Sequence, residues 1–160
     1  VDLSLAVERV RAAREAIDRT GTRVLLVARA ECYHVGHPHP LQESIRRLQA
    51  YVNAGADVLF APGPQKAEEI RALVEAVHPK PFNLLVVRDI GLRVEDIAAL
   101  GVRRISVGGA LALASWTAFI RAAQTLKSNG SFSGLADLVP YPEVNGFLET
   151  DFQSRKARAT

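Results

Sequence analysis

Short apolar runs separated by longer segments of helical period leave this chain few folds to choose from. Residues 5–19 place Val7, Val10, Ala13 and Ile17 at mostly three- and four-residue spacing with charges between them, and Gly21 follows as a stop. Residues 24–28 are apolar without interruption, and a loop over 33–40 follows, broken by Pro38 and Pro40. Residues 41–54 predict a second helix, with Leu41, Ile45, Leu48 and Val52 on one face. The spacing then predicts strands over 56–61, 82–87 and 104–107, helices over 66–77 and 94–100, and a long apolar helix over 112–127. From Ser131 onward the chain reads as loop with room for one short helix.

Strands interleaved with helices of this length pair in parallel through right-handed crossovers, so the fold class is α/β. Two boundaries, Asn53-Ala54-Gly55-Ala56-Asp57 and Ala98-Ala99-Leu100-Gly101-Val102-Arg103, share one grammar of helix end, glycine, strand. The first run, 24–28, fits a strand buried on both faces, with Arg29 and Glu31 at its C-terminal end. Charges there are expensive unless they meet a ligand, an ion or each other. In α/β barrels that end of the strand carries catalytic groups; the alternative is an Arg29–Glu31 pair that only closes the strand. A doubly wound open sheet brings a Gly-rich phosphate loop after its first strand, and Arg29-Ala30-Glu31-Cys32 is not one. Half of an eight-stranded barrel, a (β/α)8 TIM-barrel type, is therefore the expected architecture. A free half exposes two strand edges and needs a second half, from further chain or another copy.

At 160 residues the chain supports one domain. Its single cysteine, Cys32, excludes an internal disulfide and fits a reducing, cytoplasmic setting. No apolar run approaches the ~20 residues of a membrane span, and the opening Val-Asp-Leu-Ser-Leu shows no secretory signal. The net charge of +3 is accounted for by Arg155, Lys156 and Arg158 at the end of the chain. With no basic stripe and no aromatic platform, nucleic acid is not an expected partner.

Several phrases carry a resemblance. Val27-Ala28-Arg29-Ala30-Glu31, the run from Leu41 to Tyr51, Ala54-Gly55-Ala56-Asp57-Val58-Leu59-Phe60-Ala61-Pro62-Gly63, Pro81-Phe82-Asn83-Leu84-Leu85 and Leu100-Gly101-Val102-Arg103-Arg104-Ile105-Ser106-Val107-Gly108 resemble the isocitrate lyase and phosphoenolpyruvate mutase superfamily. The likeness covers roughly residues 5–135. It implies the C-terminal half of the barrel over 1–135 and an extension with a basic tail over 136–160. It further implies Mg²⁺, a small α-keto or enol carboxylic acid as substrate, C–C or P–C lyase or mutase chemistry, and homo-oligomers that exchange a C-terminal helix. By the same resemblance Arg29 holds the substrate carboxylate, for which a planar guanidinium offers two parallel donors. Glu31 falls in the polar shell around metal and substrate, and Asn83 and Ser106 lie near the substrate on later strands.

The resemblance also has gaps. The metal-binding aspartates and mobile loop of the family belong to a first half with no counterpart in these residues. Pro62 stands where relatives carry a catalytic Glu or His, and proline can neither donate nor accept a proton. The expectation is therefore an isolated chain without turnover, or a non-catalytic half-barrel assembly that still binds a carboxylate.

Other constellations have two readings each. His34, His37 and His39 suggest zinc, against a solvated loop over the barrel mouth. Cys32 beside these histidines suggests a nucleophile, but the adjacent Glu31 carboxylate favours a structural cysteine. Gly108-Gly109 before a helix suggests an anion cradle, with Gly108 in it, or a tight turn that needs glycine. Trp116, Phe119, Phe132 and Phe147 are expected to be packing residues rather than a ligand cage, and their place on an apolar terminal helix also suits a subunit interface. Asp89 is the one other acid expected at a strand's C-terminal end.

Overall fold

The computed structural model describes residues 1–159, which fall into two compact units, one over Val1–Leu111 and one from Ala112 onward. The first contains α1 (Leu3–Thr20), β1 (Val27–Arg29), α2 (Pro40–Asn53), β2 (Val58–Phe60), α3 (Ala67–Val77), β3 (Phe82–Leu85), α4 (Val94–Ala99) and β4 (Arg104–Ser106). The strands pair in parallel in the order β1-β2-β3-β4, so the expected α/β alternation and parallel pairing are observed.

Local chemistry marks the starts of the first two helices. The Asp2 carboxylate accepts the Ser4 N–H at 2.8 Å and caps α1. Pro40 opens α2, where its missing N–H costs nothing. One face of α2 buries Ser44, Leu48 and Tyr51, and one face of α3 buries Ile70, Leu73 and Val77. These meet Ala28, Leu59, Phe82 and Leu84 from one face of the sheet, forming the core. The two glycine boundaries noted in the sequence share a packing reason. A Cβ on Gly55 would lie 2.8 Å from Cγ of Arg14, and one on Gly101 would lie 2.7 Å from a methyl carbon of Val74. Each of these two glycines thus admits a side chain of an earlier helix, and φ values of +97° and +92° favour glycine independently.

The first strand differs from expectation. Val24 and Leu25 are 56% and 66% exposed and lie outside β1, and Val27 and Arg29 are exposed while Ala28 is buried. The cause is position: β1 pairs only with β2, so it is a sheet edge with one covered face. The Leu26 N–H goes instead to the Asp57 carboxylate, at 2.8 Å.

In the second unit, α5 (Ala110–Asn129), whose first turn begins in the preceding unit, leads to a short 3₁₀ turn, η1 (Ser133–Leu135), and α6 (Tyr141–Ala159). The nineteen-residue α6 corrects the expectation of mostly loop. It lacks an apolar stripe, so periodicity missed it; spacings of four residues support it instead, Arg155 to Asp151 at 2.8 Å and Gln153 to Glu149 at 2.6 Å. Trp116 and Phe119 meet edge to face at 5.6 Å, yet both remain exposed, as do Phe132 and Phe147. The expected packing role is thus not met within the described residues, because α5 has apolar groups on every side and buries none of them.

Candidate functional site

Strand register decides which side chains share a face. Arg29 pairs with Phe60, Phe60 with Asn83, and Asn83 with Arg104, so these four form one row across the sheet. The row lies opposite Ala28, Leu59, Phe82 and Leu84, which face the helices. Ser106, two residues beyond Arg104, joins the same face.

At the β1 end, Arg29 Nε pairs with Glu31 Oε1, both side chains half-exposed, and the Arg29 guanidinium stacks over Phe60 with Cζ 5.1 Å from the ring centroid. The other oxygen of Glu31 meets His34 Nδ1 at 3.1 Å. On β3 and β4, Arg104 Nη1 donates to Asn83 Oδ1 at 3.0 Å, and Asn83 Nδ2 donates to Ser106 Oγ, also at 3.0 Å. Arginine only donates, so it fixes the orientation of the Asn83 amide, turning its NH₂ toward Ser106. Asn83 is fully buried.

The expected residues therefore form two groups on one face, Arg29 with Glu31 and Asn83 with Ser106. Gly108 sits just past β4 at φ +52°, where a Cβ would touch Leu85 and Val87 at 3.4 Å. Pro62 is fully buried after β2. Sequence reasoning missed Phe60 and Arg104 as members of the face. The strict alternation of Arg104-Ile105-Ser106 already placed Arg104 beside Ser106.

Two cavities flank the row. One of about 370 Å³ is lined by Arg29, Glu31, Cys32, His37, Glu43 and Arg47 among others. The Glu43 carboxyl is held down to about 2, first by hydrogen bonds from Arg46 at 2.8 Å and then by Arg47 at 2.7 Å, so it stays an anion. The other, about 250 Å³, lies past the C-terminal ends of β1, β2 and β3, between Tyr33, His34, Gln65, Leu85 and Arg88. Burial raises the Tyr33 phenol well above its ordinary pKa, with the nearby Glu69 charge adding to the effect.

The described residues do not by themselves fit an Mg²⁺ site. None of them form a group of three or more His, Cys, Asp or Glu side chains able to hold a metal, and both oxygens of Glu31 already have partners. His37 Nδ1 accepts the backbone N–H of His39 at 3.2 Å, so the histidine loop is bonded locally. Cys32 is buried among apolar neighbours.

A parallel sheet in chain order, helices on one face and charged groups at the strand ends describe the second half of a TIM-barrel-like fold. Residues 1–127 match the model of the phosphoenolpyruvate phosphomutase family, and the chain belongs to that family, within the phosphoenolpyruvate mutase/isocitrate lyase superfamily.

Among solved structures, a Burkholderia cenocepacia protein described as a lyase/mutase superposes with TM-score 0.86 at 39% identity, over 93% of this chain and 53% of that one. 2,3-Dimethylmalate lyase, a superfamily member, gives 0.76 at 26%, over 100% and 56%. Oxaloacetate acetylhydrolase in complex with its product oxalate gives 0.75 at 25%, over 98% and 55%. Two curated relatives, both uncharacterized proteins of Mycobacterium tuberculosis, are 30% identical over 97% of this chain and 56% of theirs. The chain thus spans about half the length of the relatives it matches.

Proposed function

We propose that this chain is the carboxylate-holding half of a lyase or mutase barrel. Its substrate is a small α-keto or enol carboxylic acid, in which a C–C or P–C bond beside the carboxylate is made or broken. The observation that carries this reading is the shared face of Arg29, Asn83 and Ser106. The Arg29 fork takes the carboxylate, and Glu31 and the Phe60 ring hold the guanidinium in place. Ser106, held by the buried amide of Asn83, offers its hydroxyl to the oxygen beside the breaking bond, and Gly108 shapes the turn next to them. Of two similar enzymes, oxaloacetate acetylhydrolase is named for a small α-keto acid and 2,3-dimethylmalate lyase for a small hydroxy acid.

Mg²⁺ belongs to the reading by family likeness, with ligands beyond those gathered here, and no step is assigned to it. Residues 1–135 form the barrel half and 136–160 an extension whose helix packs on a neighbouring subunit. The exposed apolar groups of α5, Leu113, Trp116 and Phe119 among them, support self-association. The lone buried Cys32 suits a cytoplasmic setting. No helix among the described residues is long and apolar enough to cross a membrane.

Pro62 favours a second reading, a half-barrel assembly that binds the acid without transforming it, because that position lacks a proton carrier.

Calorimetric titration of the chain with oxalate and with pyruvate, with and without Mg²⁺, tests the first reading. Binding that disappears in Arg29→Met is expected; no binding, or equal binding by the variant, would overturn it. The isolated chain should show no Mg²⁺-dependent cleavage of 2,3-dimethylmalate or oxaloacetate. Turnover abolished by Glu31→Gln would overturn that expectation and the second reading with it. Sedimentation should give a species heavier than 17.4 kDa, and a stable monomer would end the assembly argument.

A further inference from the structure

The row across the sheet holds two arginines, and they are not in the same electrostatic situation. Arg29 is neutralised by Glu31. Arg104 makes no ion pair among the described residues; its one hydrogen-bonded partner is the neutral amide of Asn83. It is an exposed cation, steered by a fully buried side chain onto the face that carries Arg29.

We infer that Arg104 is a specificity-determining residue, which binds a second anionic group of the substrate while Arg29 holds the first. The inference rests on the carboxylate-binding role proposed for Arg29. Its geometric basis is that both side chains lean inward along the row. Arg29 lies over Phe60 on β2, and Arg104 reaches Asn83 on β3. The two guanidiniums therefore cover the two middle strands rather than the outer ones. Neighbouring strands are about 4.8 Å apart, so the cations stand on the scale of one to two such spacings, roughly 5–10 Å. A diacid of four carbons spans that interval with a carboxylate at each end. A monoacid reaches one arginine and leaves the other charge unmatched.

Asn83 gives the arrangement its rigidity. Its carbonyl oxygen accepts from Arg104 and its NH₂ donates to Ser106, so the amide cannot flip without breaking both bonds. Arg104 has further N–H groups beyond the one donated to Asn83, and these are available to a carboxylate or phosphonate.

The test compares malate with lactate, two 2-hydroxy acids that differ in the second carboxylate. Calorimetry is run on the wild-type chain, Arg104→Gln and Arg29→Met. Wild type should bind malate at least tenfold more tightly than lactate. Arg104→Gln removes the charge but leaves an amide N–H within reach of Asn83. It should bring malate down to the lactate level and leave lactate unchanged, whereas Arg29→Met should weaken both acids.

A malate-to-lactate ratio unchanged in Arg104→Gln would overturn the inference, even if the variant melts earlier, and would make Arg104 a structural partner of Asn83 alone. Wild type that binds neither acid would instead refute the carboxylate site itself, and the inference with it. If Arg104→Gln fails to fold by circular dichroism, Arg104→Lys replaces it. Lysine keeps the charge but loses the fork, so the ratio should fall without vanishing; an unchanged ratio again overturns the inference.

Discussion

Asp57 is the residue whose loss should most reveal how the edge of the sheet is held. One oxygen, Oδ2, accepts Arg14 Nη1 from α1 at 2.7 Å and the Leu26 N–H at 2.8 Å, just before β1. Arg14 reaches it only because Gly55 lacks a Cβ where the arginine stem passes. A hydrogen bond to a charged group contributes about 1.5–3 kcal/mol net. Both side chains of the ion pair are about a quarter exposed, so the lower end applies. Asp57→Ala should then destabilise the first unit by about 3 kcal/mol, which for a unit of this size lowers Tm by roughly 10 °C. Asp57→Asn keeps an acceptor for Leu26 and should lose about half as much. Thermal melts by circular dichroism, repeated in 1 M NaCl, measure both; a part-buried contact should lose little to salt. A fall under about 3 °C for Asp57→Ala, or one erased by salt, would refute the reasoning.

Gly63→Ala should cost more than about 2 kcal/mol, because φ is +126° and the new Cβ would overlap Cβ of Tyr33, an atom that cannot swing aside; a urea midpoint equal to wild type would contradict this. Glu43 is an ordinary carboxyl near 4.5 when unfolded and is held to about 2 when folded. Its contribution is therefore full above about pH 4.5 and is lost as pH falls toward 2. Urea midpoints between pH 5 and 2.5 should fall less steeply in Glu43→Gln than in wild type. Arg29→Lys should change Tm by only about 3 °C, since it alters an exposed pair and one ring contact, yet weaken oxalate binding about tenfold or more; the opposite pattern would make the Arg29–Glu31 pair structural.

Much of the first unit was legible because its signals are strong and local. Val24 onward announced a strand, the glycines at 55 and 101 marked helix ends, and Leu41, Ile45 and Leu48 declared a core-facing side. Strand limits were less legible, since an apolar run says nothing about how many neighbours a strand has. Val24 and Leu25 look like core residues in sequence and lie in water beside a sheet edge. α6 was hidden for a different reason: an ion pair and an amide contact, rather than a stripe, support it. In the candidate site, Arg29 and Glu31 stood out because charge after an apolar run is costly. Arg104 did not, because a charge before such a run resembles an ordinary solvated strand start. Only the pairing register shows that it shares a row with Arg29.

A sheet whose strands follow chain order and all point one way is a directed object, with a first edge and a last edge that are not equivalent. Two such sheets continue one another only head to tail, the last edge of one beside the first edge of the next, if every strand is to stay parallel and the helices are to stay on one face. One junction makes a longer strip; two junctions make a closed ring of eight. Whatever completes β1 and β4, continuous chain or separate molecule, must take on this polarity. All its strand ends then open at the same rim as those of β1 to β4. Chemical groups supplied from outside these residues would therefore converge on the mouth where Arg29 and Ser106 already stand, without any turn or hinge to redirect them.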